Sequence, residues 1–179
     1  ISTDYVFDGE KGNYEEGDTP IPINYYGFSK SVGEAFAMSY DDALVIRTSG
    51  VYGIKMNFPL FVVKTLKSGN TVKCIDSNYS PIHATQLAQV VKEVISRRIY
   101  GILHVSGPRI SRFEFANKIK DRLGIEGGKI VLSKDIPTMR ARRPYDSSLN
   151  VSKAKRILNY KFDDIDEGIR MLGERYEVI

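Results

Sequence analysis

An α/β fold, with a parallel sheet covered by helices on both faces, is what this 179-residue sequence predicts, on three observations. Leu44-Val45-Ile46 and Ile102-Leu103-His104-Val105 are short unbroken apolar runs, the pattern of strands buried on both sides. Segments with helical apolar spacing alternate with such runs. The composition, 42% apolar and 27% charged without repeats or low-complexity tracts, suits a chain that buries a substantial core.

Taken in order, the chain opens Ile1-Ser2-Thr3-Asp4-Tyr5-Val6-Phe7, with neither methionine nor a polar lead-in, and reads as the end of a buried strand already under way. A Gly/Pro-rich stretch over 8–22 leads to a helix capped by Asn24, with Val32, Ala35 and Phe36 as its apolar positions before Tyr40. The strand at Leu44–Ile46 follows. A second helix starts around Asn57 with Pro59 in its first turn and stops at Gly69, after which 71–75 reads as strand. From Thr85, the residues Leu87, Val90, Val91, Val94 and Ile95 form one helical stripe that ends at Arg97-Arg98. After the strand at 102–105, Ser111-x-x-Glu114 is a capping box for a helix running through Phe115, Ile119 and Leu123 to Gly124. Helical spacing returns over 151–158 and 165–176.

Composition excludes several classes of function. No apolar run approaches the roughly 20 residues of a membrane span, and a signal-peptide pattern is missing, so no membrane association is expected and the cytoplasm is the expected location. Cys74 is the single cysteine and cannot form an internal disulfide. The formal charge of +4 suits small anionic ligands as well as nucleic acid. The densest basic run, Arg140, Arg142 and Arg143 before Pro144, is too short and lacks the interleaved aromatics of a nucleic-acid arm, so no nucleic-acid partner is expected. It reads as a solvated loop or an anion site. His83, His104 and Cys74 lack metal-ligand spacing, and no G-x-S-x-G nucleophile turn occurs.

Parallel α/β sheets bind ligands at the carboxyl ends of their strands, where Thr3, Thr48 and Ser106 fall. The helix downstream of Thr3 carries Tyr26-Gly27-Phe28-Ser29-Lys30, a phenol and an ammonium one turn apart. With 11 tyrosines and 14 lysines, chance alone supplies roughly one such pair, so spacing by itself does not separate a site from two surface residues. Its position beside the strand ending at Thr3 adds weight. A phenol with a pKa near 10 can protonate a carbonyl at neutral pH more readily when a cation stabilises the phenolate left behind. Lys30 supplies such a charge, and the Thr3 hydroxyl can share the hydrogen bond to the carbonyl oxygen.

These residues resemble the extended short-chain dehydrogenase/reductases, and among them the dTDP-4-dehydrorhamnose reductase family. The resemblance lies in Ile1-Ser2-Thr3-Asp4-Tyr5-Val6-Phe7-Asp8-Gly9, in Pro22 to Lys30 followed by Gly33-Glu34, and in Arg47-Thr48-Ser49-Gly50-Val51-Tyr52-Gly53. It continues through Ser80-Pro81, Gly101 to Gly107, and Arg143-Pro144 with Ser147-x-Leu149. It implies the second half of a Rossmann-type parallel sheet plus a small α/β substrate-binding lobe. Residues 1–56 and 84–107 then form the sheet half, and 57–83 and 108–179 the lobe with the C-terminal helices. It further implies Tyr26 as proton donor, Lys30 as the group that tunes it and holds the nicotinamide ribose, and Thr3 as third member, with Thr3, Asp4 and Gly50 against the substrate. The implied cofactor is NADPH or NADH, and the implied reaction is reduction of a nucleotide-activated 4-keto-6-deoxy sugar.

Two departures qualify what the resemblance implies. Gly50 stands where the family commonly places a tryptophan against the sugar, which is expected to remove an apolar wall. The glycine-rich phosphate loop, G-x-x-G-x-x-G, is absent from these residues. The expectation is therefore a chain lacking its cofactor half, inactive alone, whose exposed sheet edge pairs with an N-terminal segment of the same protein or with another copy, as in a homodimer. Two alternatives keep the fold. One is a non-catalytic NADP-binding subunit like the regulatory subunit of methionine adenosyltransferase; the other is a nucleotide-sugar epimerase or dehydratase.

Overall fold

The computed structural model describes residues 1–53, 55–133, 141–159, 161–162 and 164–176. It begins with β1 (Ser2–Thr3), a 3-10 turn (Asp4–Val6), α1 (Tyr25–Ala37), β2 (Leu44–Thr48) and β3 (Val51–Tyr52). The middle of the chain forms α2 (Phe58–Lys67), β4 (Thr71–Cys74), β5 (Asn78–Tyr79), β6 (Ile82–His83) and α3 (Ala84–Ser96). Then come β7 (Gly101–His104), β8 (Ile110–Ser111), α4 (Arg112–Arg122), β9 (Lys129–Leu132), α5 (Ser152–Ile157) and α6 (Ile165–Tyr176).

The α/β class is as expected. One three-stranded sheet, in the order β1-β2-β7, is parallel throughout, with Thr3 beside Thr48 and Arg47 beside His104. Parallel alignment brings the carboxyl ends of all three strands to one edge, and so fixes where Thr3 ends up. The remaining strands described form two-stranded pairs: β3 with β6 and β4 with β9 in parallel, β5 with β8 antiparallel. Unlike β2, β4 alternates, burying Val72 and Cys74 and exposing Thr71 and Lys73, so it covers a core on one face only.

Local signals act as read. Asn24, Asn57 and Ser111 cap α1, α2 and α4, and Glu114 closes the capping box. His83 ends β6 and caps α3, its Nδ1 accepting from the Thr85 amide. Among the described residues no helix is long and apolar enough to cross a membrane.

Among the described residues a small cluster of Val6, Phe7, Tyr14 and Leu149 accompanies two large cores. One lies on the sheet, where Ile46, Leu103 and Val105 meet Val90 and Val94 of α3. The other fills the lobe, where Leu66, Phe115, Ile119, Ile169 and Leu172 of α2, α4 and α6 meet. Val151, Ala154, Leu158 and Phe162, expected with the lobe, pack in the sheet core, and Tyr52, expected with the sheet, packs in the lobe core.

α1 packs through another face. Val32, Ala35 and Phe36, its apolar positions by spacing, are all exposed, and the buried residues of the helix are Gly27 and Glu34. The reason is a polar clasp. The Glu34 carboxylate accepts two bonds from Nε of Arg47 on β2, at 3.0 and 3.1 Å, one of 2.7 Å from its Nη2, and one from the Ser2 hydroxyl. These bonds bring the Glu34 face of α1 against β1 and β2 and turn the apolar side chains away.

Candidate active site

Thr3 ends β1, and its hydroxyl starts the following 3-10 turn by accepting from the Tyr5 amide at 3.3 Å. The same hydroxyl donates to Asp4 Oδ1 at 3.0 Å. Asp4, only 4% exposed, accepts two more hydroxyl bonds at Oδ2, from Ser49 at 2.7 Å and Ser147 at 2.6 Å. Burial pushes its carboxyl above the ordinary range, and the three hydroxyl bonds oppose that rise. Two distant segments, at Ser49 and Ser147, thus converge on Asp4, which holds Thr3 in place and has both oxygens engaged.

The start of α1 is brought to this turn by a glycine. A Cβ at Gly27 would run into the Tyr5 carbonyl oxygen, so only glycine lets the helix approach so closely. Asn24 Oδ1 accepts from the Gly27 amide at 2.8 Å, and its Nδ2 donates to the Arg142 carbonyl at 3.0 Å, tying the helix start to the basic segment. Tyr26 then stands edge-on to Tyr5, ring centroids 6.0 Å apart. Its phenol is half-exposed and makes no hydrogen bond among the described residues. One turn on, Lys30 Nζ donates to the Ile1 carbonyl at 2.6 Å.

Thr3, Asp4, Tyr26 and Gly50 line one pocket of about 220 Å³, together with Tyr5, Tyr79 and Arg112. Lys30 lines a second depression of about 230 Å³, with Ile1, Ser2, Ser29 and Gly33. Of the residues singled out in the sequence, Thr3, Asp4, Tyr26 and Gly50 therefore meet, whereas Lys30, one turn along the same helix, lines a different pocket. Thr48 and Ser106 are buried and do not line the pocket: Thr48 Oγ1 has no partner among the described residues, and Ser106 donates to the Gly107 carbonyl at 3.3 Å. His104 is fully buried, its Nδ1 3.0 Å from the Tyr14 carbonyl, and burial with the nearby Arg47 charge pushes its pKa down to about 4. Arg142 and Arg143 are exposed, and Arg140 lies outside the described residues.

Position 50 lies against an aromatic ring. Gly50 has φ +50, and a Cβ there would sit 2.5 Å from the Tyr79 ring. Tyr79 of β5 lines the pocket beside Gly50. Tyr5, Tyr79 and Arg112 are the pocket residues that sequence reasoning missed. One signal was available, since Arg112 is a cation at the first position of a helix, where the dipole disfavours it.

The chain matches the RmlD substrate binding domain over residues 1–177. A crystal structure described as a hypothetical dTDP-4-dehydrorhamnose reductase from Sulfolobus tokodaii shares 51% identity and superposes with a TM-score of 0.89, over 94% of this chain and 61% of that one. The dTDP-4-dehydrorhamnose reductase of Bacillus anthracis in complex with NADP is 29% identical, with a TM-score of 0.87 over 98% of this chain and 64% of that one. Among curated proteins, the probable low-salt glycan biosynthesis reductase Agl14 of Haloferax volcanii is 35% identical over 96% of this chain and 61% of its own length. The methionine adenosyltransferase 2 subunit beta of Pongo abelii is 31% identical over 88% of this chain and 51% of its own. The chain thus spans between about half and two-thirds of the length of these relatives. With the parallel sheet, the order of its landmarks and the full span of that match in hand, the chain belongs to the RmlD substrate-binding domain family.

Proposed function

We propose that this chain forms the substrate side of an NADPH-dependent reductase of nucleotide-activated 4-keto-6-deoxy sugars, converting dTDP-4-dehydrorhamnose or a close relative to the 4-hydroxy sugar. The observation that carries the proposal is the meeting of Thr3 and an unpartnered Tyr26 phenol in one pocket, with Lys30 one turn along the same helix. The named reductases among its relatives support the same substrate class.

The residues present fit the nicotinamide end of a dinucleotide and not its phosphates. Tyr26 and Lys30 sit on the exposed face of α1, while the sequence holds no glycine-rich loop to cradle a pyrophosphate. In this proposal those contacts come from a preceding segment of the same protein or from a second copy, docked along the β1 edge and α1. When bound, NADPH supplies the hydride that reduces the carbonyl carbon.

The chain's own residues handle the proton. Tyr26 donates its phenolic proton to the carbonyl oxygen as negative charge gathers there, leaving a phenolate. Lys30, held by the Ile1 carbonyl, places a positive charge one turn away that favours that phenolate. Thr3 shares the hydrogen bond to the oxygen once its hydroxyl turns from Asp4 toward the pocket. Asp4 acts through Thr3, because its own oxygens are taken by hydroxyls.

Turnover of dTDP-4-dehydrorhamnose by the intact protein with NADPH, followed as loss of NADPH and appearance of the 4-hydroxy product, tests this. A second reading, a non-catalytic regulatory subunit, is favoured by the methionine adenosyltransferase relative. Capture of a methionine adenosyltransferase by an intact protein that turns over no keto sugar would select it. An epimerase or dehydratase would instead release a product of unchanged oxidation state.

A further inference from the structure

We propose that Ser147 is a positioning residue of this site, which together with Ser49 lets Asp4 orient the Thr3 hydroxyl and release it to the carbonyl oxygen; the assignment rests on the reading of Thr3 and Tyr26 as the reducing groups. Ser147 Oγ lies 2.6 Å from Asp4 Oδ2, and Ser49 Oγ lies 2.7 Å from the same oxygen. The Thr3 hydroxyl occupies the other oxygen, Oδ1, at 3.0 Å. Asp4 and all three hydroxyl-bearing residues are buried.

The direction of these bonds follows from what else the hydroxyls touch. Ser49 Oγ accepts from the Ser80 amide at 3.2 Å and Thr3 Oγ1 from the Tyr5 amide at 3.3 Å, so each has its proton left for Asp4. An ionised carboxylate only accepts, and three protons converge on this one. When Thr3 turns its proton to the substrate oxygen, Asp4 Oδ1 gives up its bond while Oδ2 keeps two. The buried carboxylate therefore stays hydrogen-bonded throughout, and Thr3 exchanges one bond for another. Without Ser147, a single hydroxyl would remain on it at that moment, an arrangement that drives a buried carboxylate to take up a proton. A protonated oxygen no longer accepts from Thr3, and the bond that fixes the Thr3 rotation is lost.

The Ser147 hydroxyl is not needed to hold its own segment. The backbone around it is tied by the Asp146 amide to the Gly9 carbonyl at 3.0 Å, the Ser147 amide to the Asn78 carbonyl at 3.1 Å and the Leu149 amide to Ser80 Oγ at 3.2 Å. The next residue, Ser148, donates from Oγ to Asp146 Oδ1 at 2.6 Å and accepts from the Asn13 amide at 2.7 Å. Two adjacent buried serines thus divide the work: Ser148 fastens the segment, and Ser147 serves the carboxylate beside the reducing groups. The other charged and titratable groups that act on Asp4, or on which it acts, are Arg112 of α4, Tyr79 of β5 and Tyr5 of its own turn. The arginine keeps its charge and burial raises both phenols, so Asp4 is the member of this group that changes charge on the acid side.

The pH dependence of keto-sugar reduction by the intact protein, wild type against Ser147→Ala, Ser147→Thr and Ser148→Ala, tests the assignment. Ser147→Ala should lower kcat at neutral pH about 10- to 100-fold, with KM for the sugar nucleotide little changed, and should move the acid-side fall of kcat to higher pH. Ser147→Thr, which restores a hydroxyl, should recover both, and Ser148→Ala should lower stability while leaving the acid-side fall in place. An acid-side fall that stays put in Ser147→Ala, or moves equally in Ser148→Ala, would overturn the assignment. If the variants at 147 do not fold, Ser49→Ala decides by the same shift. A wild type that reduces no keto sugar would sink the reductase reading, and the carboxyl resonance of isotope-labelled Asp4 then decides the hold on Asp4 without turnover. Titration at higher pH in Ser147→Ala than in the wild type, restored in Ser147→Thr, sustains it; the same titration in all three overturns it.

Discussion

Around Phe115 the lobe is held by apolar side chains from α2, α4 and α6, with Phe115, Leu66 and Ile119 fully buried. Around Glu34, by contrast, α1 meets the sheet through a buried ion pair and a glycine, while Phe36 and Tyr25 point outward at 74% and 85% exposure. A helix that carries chemistry gains from the second arrangement. An apolar face tolerates sliding by fractions of an ångström, whereas Arg47 grips Glu34 through Nε and Nη2, and Gly27 lies against the Tyr5 carbonyl. Together they define the rotation and height of α1, and so where Tyr26 and Lys30 project. The comparison also leaves a run of exposed aromatic side chains on α1 that no described residue covers.

The largest expected effect comes from breaking the clasp. Glu34→Gln leaves the Arg47 charge buried and unpaired and should cost about 3–5 kcal/mol, read by denaturant unfolding of the intact protein. The joint replacement Glu34→Leu with Arg47→Met should recover much of that loss yet lower activity, because the helix loses its directional hold. Full recovery of both would remove the argued purpose of the ion pair. The two regions should then separate sharply in a matched pair of truncations. Ile119→Ala in the lobe should cost about 2–5 kcal/mol, and Phe36→Ser on α1 should stay within about 0.5 kcal/mol, provided that face is uncovered in the sample measured.

Acid should find the sheet side next. His104 lies behind Arg47 and is neutral in the fold because burial holds its pKa near 4, against an ordinary 6.5 in the unfolded chain. Below pH 6.5 the unfolded chain takes up a proton that the folded one refuses. Its contribution is therefore intact above pH 6.5 and is lost as pH falls toward 4, by at most about 3 kcal/mol. His104→Asn should flatten that part of the stability profile.

How much of this was legible in the sequence follows the range of each interaction. Asn24, Asn57, Pro59 and Ser111 with Glu114 act within one turn, so the helix starts could be read directly. Tyr26, Lys30 and Thr3 were found because a short motif and a strand end carry them. The rest depends on partners that sequence spacing does not connect. Glu34 looks like a surface residue until Arg47 is brought beside it, and that is why the inward face of α1 was not legible from spacing. The support for Asp4 comes from Ser49 and Ser147, which lie 45 and 143 residues away. Tyr79, whose ring lies against position 50, is 29 residues from Gly50, and the rings beside Arg112, those of Tyr79 and Phe58, lie 33 and 54 residues from it.

The central claim, that the clasped helix presents a proton donor to a sugar carbonyl, is tested most directly by turnover of dTDP-4-dehydrorhamnose with NADPH in the intact protein, wild type against Tyr26→Phe. The account predicts measurable reduction by the wild type and a fall in kcat of about 10²- to 10⁴-fold in the variant, with dTDP binding retained. An unchanged kcat in Tyr26→Phe, or a wild type that binds NADPH and dTDP yet consumes no keto sugar, would contradict it.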